Sequence, residues 1–307
     1  MELRVLQYFL AVAREQSISG AAESLHLTQP TLSTQLKALE DELGKQLLIR
    51  GTKGSRRVTL TEEGMILRRR AEEILDLVDK TEREISVADE TVAGDVHIGA
   101  AESTAFSLLA RCADIVREQC PLVHFHISSG DRADTLDRLD RGLIDFALIF
   151  GEVDTARYNF LSVPHTDRWG ALVRRDHPLA SKGSVTAADI AGERLIISRQ
   201  EFQGSALQRF LGKNRDELDI AATYTLCYNG SLMAEQGLGI ALTLDGIVNV
   251  TGDSALTFLP FEPELTARLS VVWNKYQILP RASSRYLQCM REEFAGANVV
   301  DYEGEER

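Results

Sequence analysis

Ala21-Ala22-Glu23-Ser24-Leu25-His26-Leu27-Thr28-Gln29-Pro30-Thr31-Leu32-Ser33-Thr34-Gln35-Leu36-Lys37-Ala38-Leu39-Glu40 is the stretch whose reading decides the fold. Ala21, Ala22 and Leu25 share one helical face, and so do Leu32, Leu36 and Leu39. Between them Thr28 can cap a new helix, and Pro30 suits its first turn, where a missing N–H costs little. The spacing therefore predicts two short helices joined by a tight turn. The second helix exposes Gln29, Thr31, Ser33, Thr34 and Lys37. Small polar residues near the N-terminus of such a helix can approach base edges in a major groove, and longer ones reach phosphate.

The flanks fit this reading. Leu3, Leu6, Phe9, Leu10 and Ala13 mark a preceding helix, and Ser17 can cap the next one. Gly44 is a good left-handed terminator for the third. Leu47–Arg50 and Arg57–Leu60 then flank Gly51-Thr52-Lys53-Gly54 as a two-stranded basic wing. Between Leu43 and Thr61 stand Lys45, Arg50, Lys53, Arg56 and Arg57, with no acidic residue.

The run Ala21-Ala22-x-x-Leu25-x-Leu27-Thr28-Gln29-Pro30-Thr31-Leu32-Ser33-x-Gln35-Leu36-x-x-Leu39-Glu40-x-x-Leu43-Gly44-x-x-Leu47, continued by Arg50 and Leu60-Thr61-x-x-Gly64, resembles the winged helix-turn-helix of LysR-type transcriptional regulators. The family usually places Phe where Leu48 stands, an apolar-for-apolar change. The resemblance implies double-stranded promoter DNA as partner. Gln29, Pro30, Thr31, Ser33 and Thr34 would face the groove, and Lys37, Arg50, Arg56 and Arg57 would meet phosphate or the minor groove.

The charge distribution suits a DNA reader on an acidic body. The net charge is −12 over 307 residues, but residues 1–58 carry +2, residues 59–90 carry −5 and residues 91–307 carry −9. A local basic patch can still bind phosphate, because screening limits repulsion beyond roughly 8–10 Å. No apolar run approaches a membrane span or a signal peptide, so a cytoplasmic protein is expected. Cys112, Cys120, Cys227 and Cys289 are scattered without a CxxC spacing. They read as buried free thiols, with redox sensing as the alternative and a zinc site without ligand spacing.

Thr61-Glu62-Glu63 opens a long helix whose acidic start suits its dipole. Leu67, Ala71, Ile74, Val78, Thr81, Ile85 and Ala88 recur at alternating spacings of four and three, a heptad seam broken only by Thr81. Leu67, Ala71, Ile74, Val78 and Ile85 are therefore expected between two subunits of a homodimer or homotetramer.

From Gly94 onward the pattern becomes α/β. Val96–Gly99, Val123–Ile127 and Ile144–Ile149 read as strands with helices between them, which means a parallel sheet. A second α/β unit follows, with strands near Trp169–Val173, Leu195–Ile197 and Ala222–Leu226 and a helix from Ser231 to Gln236. Leu269–Trp273 and a final helix, Ala282–Phe294, look like material returned to the first unit. This resembles the family's two-lobed, periplasmic-binding-protein-like effector domain. The expected organisation is an all-α winged domain over 1–58, a linker and dimerisation helix over 59–90, and an effector domain over 91–296. Its lobe I covers about 91–161 and 266–296, its lobe II about 162–265, and a disordered acidic tail occupies 297–307.

No GxSxG elbow, GxxxxGK[ST] loop, HExxH or GxGxxG occurs, so no enzymatic constellation is expected. His124 and His126 share a strand face, but two ligands are too few and no carboxylate pair stands nearby in sequence. No metal or cofactor is therefore expected, and Asp145 reads as structural. The opening of the helix at Glu102-Ser103-Thr104 offers a positive dipole end, a natural anion site. From the resemblance, Ser103 would contact a small-molecule effector. Thr104, Arg132, Ser198, Arg199 and Asn229 would face the same crevice, and the effector would be an anionic metabolite. The family resemblance also implies RNA polymerase as a partner. A cytoplasmic small-molecule-binding protein without a regulatory role is the alternative, and it leaves the first sixty residues unexplained.

Overall fold

The computed structural model describes residues 1–50, 57–86, 92–199 and 206–296, and the chain divides into two compact units, Met1–Ser86 and Val87–Arg307. Among the described residues no helix is long and apolar enough to cross a membrane. The expected acidic tail, 297–307, lies outside the described residues.

The first unit holds α1 (Leu3–Glu15), α2 (Ile18–Ser24), α3 (Gln29–Leu43), β1 (Leu48–Arg50), β2 (Val58–Leu60) and α4 (Glu62–Ser86). Ser17 caps α2 by accepting from Gly20 N at 3.1 Å, and Thr28 caps α3 by accepting from Thr31 N at 3.3 Å. Gly44 ends α3 at φ 64°, a conformation that favours glycine. Phe9, Val12, Ala21, Ala22, Leu32, Leu36, Leu39, Leu47 and Leu48 close into one buried core. Each fully buried Leu, Val or Phe among them contributes about 1.5–3 kcal/mol.

The wing is bound to this core by two residues of the sequence pattern. Glu40 Oε1 accepts from Leu47 N at 2.8 Å and Leu48 N at 3.0 Å, which aims β1. Thr61 caps α4 through Gly64 N at 3.0 Å and donates to Gln46 O at 2.8 Å. Strand β2 runs through the expected boundary at 58/59 as far as Leu60.

The expected seam on α4 needs correction at its start. Ala71 is fully buried and offers no surface to a second subunit, whereas Leu67 is half-buried and packs partly against the core of its own unit. The first turns of α4 lie on α1, and the apolar stripe continues past it at Ile74 and Val78, both half-buried. Leu77 is exposed beside them. Thr81 interrupts the stripe without leaving a polar group unpaired, because its hydroxyl donates to Leu77 O at 2.7 Å. The side chain of Ile85 lies outside the described residues.

The second unit contains two sheets that share one strand. Its elements are β3 (Gly94–Ala100), α5 (Phe106–Gln119), β4 (Val123–Ser129), α6 (Arg132–Asp140), β5 (Phe146–Phe150), β6 (Tyr158–Arg174), α7 (Ala187–Ile190), β7 (Leu195–Ser198), α8 (Ala206–Leu211), β8 (Ile220–Tyr224), α9 (Cys227–Glu235), β9 (Ile240–Leu244), β10 (Leu256–Pro260), β11 (Thr266–Asn274) and α10 (Arg281–Gly296). The first sheet runs β4-β3-β5-β11-β6, with β4, β3 and β5 parallel and β11 antiparallel to both neighbours. The second runs β8-β7-β9-β6, with β10 also on β6.

Strand β6 spans 17 residues and belongs to both sheets. Tyr158–Arg168 pairs with β11, and Gly170–Arg174 pairs with β10. The expected lobe break near 161/162 therefore falls inside one continuous strand, of which the pattern shows only the buried stretch near Trp169–Val173. As expected, β11 and α10 return to the first sheet, where Leu109, Val116, Phe146, Trp273, Tyr286 and Met290 share a core. Pairing of β3 with β4 sets His97 opposite His126 and Asp95 opposite His124. The sheet thus brings a carboxylate and a third imidazole to the histidine pair, which the expectation of too few ligands did not foresee.

Candidate functional sites

The first site is the outer face of α3. Gln29, Pro30, Thr31, Thr34 and Lys37 are exposed and Ser33 is half-buried, while Leu32, Leu36 and Leu39 point into the core. Burial of one stripe leaves the opposite face free. Two hydroxyls on it are already engaged: Thr31 Oγ1 lies 2.7 Å from Thr28 Oγ1, and Thr34 Oγ1 donates to Pro30 O at 2.9 Å. Both keep acceptor capacity. At the base of the wing Arg57 is exposed and its Nε donates to Gln16 Oε1 at 2.9 Å. Arg56 and the side chain of Arg50 lie outside the described residues.

The second site is a cavity in the second unit where the two sheets meet. It holds about 450 Å³ counting its open mouth. Ser129 and Phe150 come from the first sheet, Trp169, Ser198, Tyr224 and Thr243 from the second, and Glu102 follows β3. The lining mixes aromatic surface with a few polar groups, as small-molecule sites do.

Of the six residues expected at an effector, Ser198 lines this cavity and the other five do not. Ser103 Oγ donates to Asp167 Oδ2 at 2.5 Å and accepts from Ala105 N at 2.9 Å. Thr104 Oγ1 donates to Asp167 Oδ1 at 2.9 Å and lies 2.9 Å from His165 Nε2. Asp167 is 2% exposed, so the protein's own carboxylate already engages the two hydroxyls just before α5, where an external anion was expected.

Arg132 is turned onto backbone, with its guanidinium donating to the carbonyls of Phe150 and Glu152. Arg199, after β7, pairs with Asp131 and reaches Asp134 Oδ2 at 3.1 Å. This clasp joins the second sheet's β7 to the start of α6 on the first. Burial works against ionisation of Asp131, but the Asp134 N–H and the Arg199 guanidinium outweigh it and hold the carboxyl below its usual range. Helix α9 begins at Cys227, four residues before the expected Ser231. Asn229 therefore sits within the helix, exposed, instead of preceding it.

The residue that sequence reasoning passed over is Glu102. Its carboxylate lines the cavity and accepts from Cys227 N at the start of α9. Its position beside Ser103 was visible, but its partner lies 125 residues away. Asp167 gave no local signal, since it occupies an irregular part of a strand whose first half carries no clear alternation.

All four cysteines are free. Burial pushes the Cys112 thiol up to about 12 and the Cys227 thiol up to about 11, and it raises that of Cys289 as well. Reactive cysteines need the opposite shift, because the thiolate is the nucleophile.

Family models match both units of the chain. The sequence model for the bacterial regulatory helix-turn-helix protein, lysR family, matches residues 3–65, and that for the LysR substrate binding domain matches residues 89–295. A hydrogen peroxide-inducible genes activator of Pectobacterium carotovorum subsp. carotovorum is 33% identical over 198 residues. That alignment covers 64% of this chain and 64% of the relative, so it spans under two thirds of the relative's length. The Hca operon transcriptional activator HcaR of Escherichia coli (strain K12) is 26% identical over 306 residues, 97% of this chain and 100% of HcaR. The crystal structure of CbnR, a LysR family transcriptional regulator, superposes with a TM-score of 0.72 at 18% identity, covering 96% of this chain and 99% of CbnR, a likeness of fold. With its helix-turn-helix and its two-lobed domain both matched, this chain belongs to the LysR family of bacterial transcriptional regulators.

Proposed function

We propose that the protein is a cytoplasmic, non-enzymatic regulator that binds promoter DNA as a homo-oligomer and responds to a small molecule in the cavity. The observation that carries the reading is the pairing of a solvent-facing α3 with a second unit built around a cavity between two sheets. A solved complex of full-length CbnR with its target DNA supports the first half, as does the naming of HcaR as an activator. The peroxide response named for the 33% identical relatives does not carry over to Cys112, Cys227 or Cys289, whose thiols are held protonated by burial. RNA polymerase is the further partner that the family implies.

The effector we propose is an anion that takes the place of Glu102. A helix N-terminus favours a negative group, and Glu102 supplies one at α9. Glu102 is half-buried, so it has a route to solvent. An incoming carboxylate or phosphate that takes over Cys227 N would expel it and change how the first sheet's Glu102 loop engages the second sheet's α9. The effector then shifts the domain's equilibrium by its differential affinity for the two arrangements.

Calorimetry with candidate metabolites on the wild type and Glu102→Gln tests this. The variant removes a competing charge, so an anionic effector should bind about tenfold more tightly, a gain of roughly 1.4 kcal/mol. Weaker binding to Glu102→Gln would mean that the carboxylate is a ligand for a cationic effector. For the DNA site, Lys37→Ala should weaken binding to all sequences and flatten the salt dependence by about one unit of slope. An unchanged slope would take Lys37 off the phosphate backbone.

A further inference from the structure

We propose that Asp95, His97 and His126 form a binding site for a transition metal of the Zn²⁺ type, apart from the cavity and from α3. Strands alternate their side chains between faces. Val96, Ile98 and Val123 are buried in the core shared with α5 and α10. Asp95, His97, His124 and His126 therefore fall on the opposite face. The parallel register places His97 directly beside His126, on the edge strand of the first sheet.

The geometry is close to what a metal needs. One donor atom from each of Asp95, His97 and His126 lies within 4.8 Å of the other two. A point no more than about 2.8 Å from all three then exists, against Zn–N and Zn–O distances of roughly 2.0–2.2 Å. Small side-chain rotations close that gap. The two imidazoles stack with centroids 4.6 Å apart and planes 14° from parallel, and His126 Nε2 is 3.3 Å from Asp95 Oδ1. Two imidazole nitrogens and one carboxylate are the donor set of Zn²⁺, Ni²⁺ or Cu²⁺, and not of Mg²⁺ or Ca²⁺, which require oxygen.

The surroundings suit a partly open site. The Asp95 side chain is 12% exposed and that of His126 is 51% exposed, so metal enters from the His126 side and a fourth position stays open to water. Asp145 orients β3, since its Oδ2 accepts from His97 N at 2.8 Å. A bound metal would tie edge strand β4 to β3 and stabilise the second unit by mass action.

The test is competition of Zn²⁺ against a chromophoric chelator, read together with thermal melting, on the metal-free full-length protein. The wild type should take up one Zn²⁺ per chain with a rise in melting temperature. His126→Gln and Asp95→Asn should each lower the affinity at least about tenfold. His26→Ala and His177→Ala should not. His126 is half exposed, so its substitution leaves the fold intact, which circular dichroism verifies. A wild type that competes no better than His126→Gln, or uptake that survives in both His126→Gln and Asp95→Asn, would overturn the site.

Discussion

Gly64→Ala should unfold the DNA-binding unit at temperatures where the wild type is intact. A Cβ at this position would stand 2.2 Å from Leu47 O and 3.1 Å from Leu47 C, and both atoms are backbone. Leu47 cannot retreat, since its N–H is held by Glu40 and its carbonyl accepts from Thr61 N at 3.0 Å. Overpacking typically costs about 1–3 kcal/mol, and a clash with fixed backbone puts this site at about 3 kcal/mol. For a unit of this size that lowers the melting temperature by roughly 12–24 °C. Gly20→Ala is the matched control, because its added Cβ meets nothing closer than 3.5 Å and α2 gains helix propensity of up to about 1 kcal/mol. Differential scanning calorimetry with promoter binding as a second readout checks both. A Gly64→Ala protein that melts with the wild type would mean that α4 does not approach Leu47 this closely.

Ile74→Asp should dissociate the oligomer. In the single chain Ile74 and Val78 are half-buried and Leu77 is 42% exposed, so the subunit itself tolerates a charge there. Across a seam between two α4 helices the same charge is desolvated without a partner, which costs several kcal/mol. A penalty of about 3 kcal/mol weakens self-association more than a hundredfold. Light scattering at micromolar concentration should then show monomer, and promoter affinity should fall steeply, because two half-sites are no longer bound together. Arg69→Asp, on an exposed part of α4, should leave the mass unchanged. An Ile74→Asp protein with wild-type mass and affinity would place the interface elsewhere.

The two variants act on the same helix through different partners. Leu67 packs on the core of the first unit and Ala71 is fully buried, whereas Ile74, Leu77 and Val78 lie farther along. A heptad count treats all of these positions alike. Only the packing of α1 against the first turns of α4 separates them.

What the sequence by itself determined is whatever depends on neighbours within a few turns. Capping by Ser17, Thr28 and Thr61, the left-handed end at Gly44, and the alternation of apolar and polar faces in α1 to α3 are local, and the chain spells them out. The strand–helix order of the second unit is local as well, and it placed β3, β4, β5 and β7 within a few residues of where they stand. The winged motif was legible for the same reason, since each position in it serves a nearby contact. Glu40 reaching Leu47 and Leu48, and Thr61 reaching Gln46, are the longer of these reaches within the motif.

What only the tertiary structure decided is where charges separated by many residues come to rest. Ser103, Thr104, Arg132 and Arg199 were correctly seen as polar groups near the ends of strands. Their partners, Asp167, the carbonyls of Phe150 and Glu152, and Asp131, are supplied by other strands and loops. A polar group brought near an unlike partner on folding binds it, because leaving either one desolvated and unpaired costs more than the bond yields. The cavity is consequently lined by residues such as Glu102, Tyr224 and Thr243, which no spacing rule marks. Sheet register acts in the same way at β3 and β4, where pairing sets His97 beside His126 although 29 positions separate them along the chain.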